Sequence, residues 1–203
     1  VKPLFSYYNT YFTLCFFNCT IQISADPLII CQYPKLIYKC LKGVLKMSDR
    51  NNKLKKEVLY YAKLMDEKGL VNTLEGNLSI LDRETGKMYI TPSGTRKRFL
   101  NEDKIAVVNT ENGEQIEGTV KKSSEILLHE AALKARPDCN AAAHIHAPYL
   151  TAYAYCGKDI KLKCSTTFSL VFEEIPCLPY GLPGTIHIAD GIEDAIKDHD
   201  LIL

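Results

Sequence analysis

Ala141-Ala142-Ala143-His144-Ile145-His146-Ala147-Pro148 is the stretch on which the reading of this chain turns. A small apolar run leads into two histidines two residues apart, and a proline follows. That pattern predicts a short buried strand. Side chains at i and i+2 of a strand share a face, about 6–7 Å apart at the backbone. Both imidazoles can therefore converge on one metal ion, and imidazole is a good zinc ligand. Two structural histidines would show the same spacing, so the neighbouring motifs decide between the readings.

Outward from this strand, short strand patterns alternate with single helices, which suggests a layered α/β domain. Leu54, Val58, Tyr61, Ala62 and Met65 follow the period of an amphipathic helix with Gly69 as its stop. Strand patterns cover Asn77 to Leu81, Met88 to Thr91 and Ile105 to Asn109, with turns over Asp82 to Lys87 and Glu111 to Gly113. Glu125 to Ala135 reads as a helix ending before Pro137. Pro148 opens a further helix that ends near Gly157. Ile175 to Leu178 and Asp200 to Leu203 read as strands, and Gly191 to Lys197 as a helix.

The chain has 203 residues, room for one core-bearing domain with an appendage. Its composition is 46% hydrophobic and 24% charged, an ordinary globular balance, and its net charge of +1 gives no argument for nucleic acid or an anionic membrane as partner. The eight cysteines show no C-x-x-C spacing, so they read as reduced residues of a cytoplasmic protein. Residues 1–46 stand apart from 47–203. They begin with Val, hold no charge between Lys2 and Asp26, and keep no helical or alternating period. Asn9, Thr10, Thr13, Asn18, Thr20 and Gln22 make them a poor bilayer segment. They read as an atypical extension, not native to the domain, ahead of a start at Met47, with a targeting or anchoring segment as the alternative.

Four small motifs lie in order within residues 76–146: Gly76-Asn77-Leu78-Ser79, Thr91-Pro92-Ser93-Gly94-Thr95, Ser123-Ser124-Glu125 at a helix start, and His144-Ile145-His146. Singly, each has a structural reading as a turn or an N-cap. Together they hold hydroxyls, an amide and Gly-flanked N–H groups suited to a phosphate, with a helix N-terminus to assist. A carboxylate and two metal-ligating imidazoles stand beside them. That inventory suits a reaction in which an enolate forms next to a carbonyl: a metal polarises the oxygen and a carboxylate moves the proton.

This order of motifs resembles the class II aldolase and adducin-head family, with its fuculose phosphate aldolase branch the nearest. The resemblance runs from about residue 51 to the end and includes Ile175-Pro176-Cys177-Leu178-Pro179-Tyr180 followed by Gly184-Thr185. It implies a central, mostly antiparallel sheet flanked by helices. It implies zinc on His144 and His146, with Glu125 as acid/base and a further metal ligand. It places the substrate phosphate at Asn77, Ser93, Gly94, Ser123 and Ser124. The implied function is a sugar-phosphate lyase that cleaves a ketose 1-phosphate, assembled as a homotetramer. Dehydratases, decarboxylases and epimerases share the family, as do non-catalytic adducin-like modules. The epimerases carry Asp where this chain has Glu125, which favours the aldolase branch.

The sequence departs from the pattern in two places. The family's third zinc histidine lies in an H-G motif after a strand; the matching strand is Asp200 to Leu203, where the sequence ends. The expectation is a domain lacking its last ligand and C-terminal helices. His187 and His199 do not match that position, and His129, within a helix, reads as structural. Ser165 falls where the fuculose enzyme has a proton-donating tyrosine.

Overall fold

A computed structural model of the chain describes residues 14–17, 47–161 and 173–203. Ser165 and most of residues 1–46 lie outside this set. A six-stranded antiparallel sheet forms the middle layer, with strands β1 (Leu14–Phe17), β2 (Asn77–Asp82), β3 (Lys87–Ile90), β4 (Ala106–Asn109), β5 (Gln115–Glu117) and β6 (Ala141–His144) in the order β1-β6-β2-β3-β4-β5. The strand that carries His144 is thus internal, paired with β2 on one side and β1 on the other.

Helix α1 (Met47–Glu67) begins earlier than the apolar period alone indicates. It stops where Gly69 takes φ +67°. Leu70 N–H then donates to Met65 C=O (2.9 Å) and Gly69 N–H to Asp66 C=O (3.2 Å), so the last carbonyls are satisfied within the turn. Helix α2 covers Ile126–Ala135, α3 Pro148–Tyr155 and α4 Ile192–Ala195. Among the described residues no helix is long and apolar enough to cross a membrane.

The strand period of two divides the core between the sheet's faces. On one face Leu78, Tyr89, Val107 and Ala143 pack with Val58, Ala62 and Met65 of α1. On the other, Met88, Ile90, Ala106, Val108 and Ala142 pack with Ile126, Ala132 and Leu133 of α2 and with Ile192, Ile196 and Ile202. Both faces are covered, which explains why β3, β4 and β6 read as nearly continuous apolar runs. The expected α/β fold with an antiparallel sheet between helices is what the chain adopts.

Several segments differ from the sequence reading, among them Leu14–Phe17, which forms β1 within the part read as an extension, and Asp200 to Leu203, where only a bridge at Leu201 stands in place of the expected strand. Strand β5 has only three residues and a register shift against β4 between Val107 and Val108, too short a pattern to register in sequence. Ile175 to Leu178 makes an isolated bridge, Ile175 to Ile160. It then runs beside Leu203, whose N–H donates to Pro176 C=O (2.8 Å). His146 lies two residues beyond the end of β6, its N–H bonded to the Leu70 carbonyl at 3.0 Å.

Candidate functional site

The register of β2 against β6 sets the site. Asn77 lies opposite His144 and Ser79 opposite Ala142, so Asn77, Ser79 and His144 share the sheet face that looks onto α2. Glu125 sits at the start of α2 and His129 one turn further on, four residues apart and hence on one side of the helix. Gly76 makes the close crossing possible. Its φ is +72°, and a Cβ there would lie 2.3 Å from Val71 Cγ1 and 2.9 Å from the His144 carbonyl.

These side chains form one connected network. His144 Nδ1 is 2.5 Å from Glu125 Oε2, and Asn77 Nδ2 donates to the same oxygen at 2.5 Å. Asn77 Oδ1 is hydrogen-bonded to His129 Nε2, and His129 Nδ1 is 2.8 Å from Ser79 Oγ. His129 and Ser79 are fully buried, and the Glu125 and His144 side chains are 16% and 15% exposed. Burial alone would raise the Glu125 pKa; the His144 hydrogen bond and charge, with the Asn77 hydrogen bond, outweigh it and hold the carboxyl at about 2. Burial pushes the His129 imidazole down to about 3, so it is neutral. Burial, followed by the charge of His144, also lowers the His146 pKa.

The hydroxyl-bearing motifs meet at the same helix start. Thr91 pairs with Leu78 through N–H to C=O (3.0 Å), and Thr91 Oγ1 accepts from Leu78 N–H (3.1 Å), which locks the second motif to the first. Pro92 bridges Lys122, and Ser93 N–H donates to the Lys121 carbonyl at 3.0 Å. Ser93 Oγ donates to the Lys122 carbonyl (3.2 Å) and accepts from Ser124 N–H (3.0 Å). Ser123 Oγ accepts from Glu125 N–H (3.2 Å), a local turn that sets the carboxylate's residue in place. Ser123 is buried, whereas Gly94 and Ser124 face solvent. Asn77, Ser93, Ser123, Ser124, Glu125 and His144 are therefore joined in one neighbourhood.

The two imidazoles of His144 and His146 are 4.7 Å apart between ring centroids. Glu125 faces Nδ1 of His144, and Glu75 Oε2 is 3.9 Å from Nδ1 of His146. A carboxylate on Nδ1 leaves Nε2 as the ligating nitrogen, the usual arrangement behind a metal-bound histidine. The pair thus fits a metal in donor type, while no group of three or more such donors is assembled among the described residues. His187 is engaged elsewhere, with Asp190 at 2.9 Å on the surface. His199 lines a separate cleft of about 360 Å³ with Arg136, Asp138 and Asp200.

The profile of the Class II Aldolase and Adducin N-terminal domain matches residues 56–203. The chain belongs to this family. It is 32% identical over 151 residues to 5-deoxy-D-ribulose 1-phosphate aldolase of Bacillus thuringiensis serovar kurstaki, covering 74% of this chain and 70% of that protein. It is 32% identical over 152 residues to L-fuculose phosphate aldolase of Escherichia coli strain K12, covering 75% and 69%. The solved structure of an L-fuculose 1-phosphate aldolase superposes with a TM-score of 0.67 at 29% identity, covering 74% of this chain and 71% of that one.

Within this class II aldolase-family chain, two buried polar residues escape a sequence reading. His129, read as structural, is indeed fully buried, and what the sequence did not reveal is its bond to Asn77; the signal for that is the i, i+4 spacing from Glu125. Lys97, in the 3₁₀ turn Lys97–Phe99, is 1% exposed and donates to the Leu74 carbonyl at 3.2 Å. Burial lowers its pKa to about 8, against the opposing attraction of Glu125, Asp66 and Glu75. Its only sequence signal is the basic run Arg96-Lys97-Arg98 after the T-P-S-G-T motif.

Proposed function

We propose that this class II aldolase-family chain is a metal-dependent sugar-phosphate lyase, cleaving a ketose 1-phosphate reversibly to dihydroxyacetone phosphate and an aldehyde. One observation carries the reading: Glu125 is fixed between Asn77 and His144 at the helix start where Ser93, Gly94 and Ser124 also gather. A proton-transferring carboxylate and a cluster of phosphate-binding groups are therefore adjacent, as a 1-phosphate next to a reacting carbon requires.

His144 and His146 would hold the metal through Nε2, and Glu125 would join as a further donor once turned away from His144 Nδ1; zinc suits the imidazoles. When bound, the metal supplies positive charge that polarises the carbonyl of the substrate. The exposed Ser124 and Gly94, with the hydroxyls of Ser93 and Ser123 and the amide of Asn77, would bind the phosphate. The positive end of α2 adds to that attraction. In the condensing direction Glu125 takes a proton from the hydroxymethyl carbon beside the carbonyl, the resulting carbanion adds to the aldehyde carbon, and the alkoxide formed at C4 takes a proton from water. In the cleaving direction the C4 hydroxyl gives up its proton to water as the C3–C4 bond breaks and the aldehyde leaves, and the protonated Glu125 carboxyl gives its proton to C3. Assembly as a homotetramer in the cytoplasm belongs to the same proposal, and light scattering of the purified protein tests the oligomer.

The test is direct. Zinc-loaded protein is supplied with 5-deoxyribulose 1-phosphate and with fuculose 1-phosphate, and dihydroxyacetone phosphate release is followed. Glu125→Gln is expected to lower turnover by about 10²–10⁴-fold, the share attributed to a positioned acid/base, in a variant that circular dichroism shows to be folded. Zinc-loaded wild type that releases no dihydroxyacetone phosphate from either ketose would sink the reading.

A further inference from the structure

We propose that His129 is a positioning residue: it fixes which way the Asn77 amide points, and through Asn77 it sets the hydrogen bonds that hold Glu125. The inference rests on the reading of Glu125 as the proton-transferring group, and it concerns a residue that touches neither metal nor substrate.

The argument follows from donors and acceptors alone. An ionised carboxylate only accepts hydrogen bonds. Glu125 Oε2 has two partners at 2.5 Å, so each must donate: His144 through Nδ1–H and Asn77 through its NH₂. The Asn77 carbonyl oxygen then necessarily faces the other way, onto His129 Nε2. That nitrogen must carry a proton. With the proton on Nε2, Nδ1 of the neutral ring is an acceptor, and it meets the Ser79 hydroxyl at 2.8 Å. Among the side chains the bonds have one consistent direction: Ser79 O–H to His129 Nδ1, His129 Nε2–H to Asn77 Oδ1, Asn77 N–H to Glu125; the Ala142 backbone carbonyl is a further acceptor beside the ring.

The opposite tautomer breaks it. A lone pair on Nε2 would face the Asn77 oxygen, and turning the amide over would bring that oxygen against the Glu125 carboxylate. His129 is fully buried and Asn77 nearly so, which keeps bulk solvent from repairing the mismatch. The fold provides for this pairing. His129 is one turn after Glu125 on α2, and Ser79 is two residues after Asn77 on β2, so helix and strand present matched pairs.

The experiment has two arms. In the first, ring nitrogens of wild-type histidines are assigned by long-range ¹H–¹⁵N correlation at pH 7, with and without zinc. His129 is expected as the neutral Nε2–H tautomer in both samples; an Nδ1–H tautomer or an imidazolium would overturn the proposal. In the second, His129→Gln and His129→Asn are compared. Glutamine places its amide nitrogen near the Nε2 position and can still donate to Asn77; asparagine reaches only the Nδ1 position. His129→Asn is expected to lower kcat by about 10-fold or more with KM little changed, while His129→Gln restores most of it. Equal losses in both folded variants, or none in His129→Asn, would reject the proposal. Should either variant fail to fold, the wild-type tautomer still decides. Should wild type cleave no ketose phosphate, the lyase reading fails, and the tautomer and the Asn77 side-chain amide shifts judge this inference separately.

Discussion

Under α1, the sheet presents Leu78 and Ala143 to Val58, Ala62 and Met65; one residue along each strand, on the opposite face, it presents Asn77 and His144 to Glu125 and His129. The strands are the same and only the pleat differs. The first face is closed by apolar contact, which is non-directional and tolerates small shifts. The second is held at this end by hydrogen bonds that each need a particular partner. Further along the second face, Met88, Ile90, Ala106 and Val108 against Ile126, Ala132 and Leu133 restore an apolar seam. That seam fixes the position of α2, and so keeps Glu125 within reach of β6. Alternation by one residue thus separates packing from chemistry without separating them in space.

The comparison predicts opposite consequences for substitutions on the two faces. Ile105 is fully buried in the α1-facing core. Ile105→Ala is expected to lower unfolding free energy by about 2–5 kcal/mol in urea titration. The folded fraction should keep zinc affinity near that of wild type, since no site residue loses a partner. A loss of zinc affinity without a loss of stability would show that the two faces are not separable in this way.

The same comparison explains what could be read before the structure. The histidine pair, the Ser-Ser-Glu helix start and the Thr-Pro-Ser-Gly turn are local, each a few residues long with its own turn or cap chemistry. They were legible singly. The pairing of Asn77 with His144 was not, because register depends on which strands become neighbours, and β6 inserts between β1 and β2. His129 looked like an ordinary helix residue because its partners, Asn77 and Ser79, are about fifty positions away. Ile175 to Leu178 has the composition of a strand, yet its partners are split between Ile160 and Leu203. Composition reports burial there, and pairing geometry decides the rest.

Lys97 sharpens the comparison, being a buried cation in a loop that packs on α1. Its folded pKa, about 8, lies below the unfolded value near 10.4. Between these values the unfolded chain binds the extra proton, so stability rises with pH. Below about 8 both states are charged and the burial cost is present in full. Thermal melting from pH 8 to 10 should therefore show a stabilising contribution in wild type that is absent in Lys97→Met. Equal pH dependence in the two proteins would mean that Lys97 keeps its ordinary basicity, and that this cation is effectively solvated.

The smallest expected effect lies on neither face. Lys134 is on the solvent side of α2 and pairs with Glu193 at 3.0 Å, with side chains 75% and 48% exposed. Water screens such a pair, and holding two long side chains in one geometry offsets much of the attraction, so Lys134→Ala should cost under about 1 kcal/mol. The residual difference should shrink further in high salt. Arg136, two residues on, has a side chain only 15% exposed, ion-paired with Asp138 and Asp200 and bonded to the Ile196 carbonyl. If Lys134→Ala cost as much as Ile105→Ala, α2 would be held in place from its solvent side. The apolar seam against the sheet would then no longer account for where Glu125 sits.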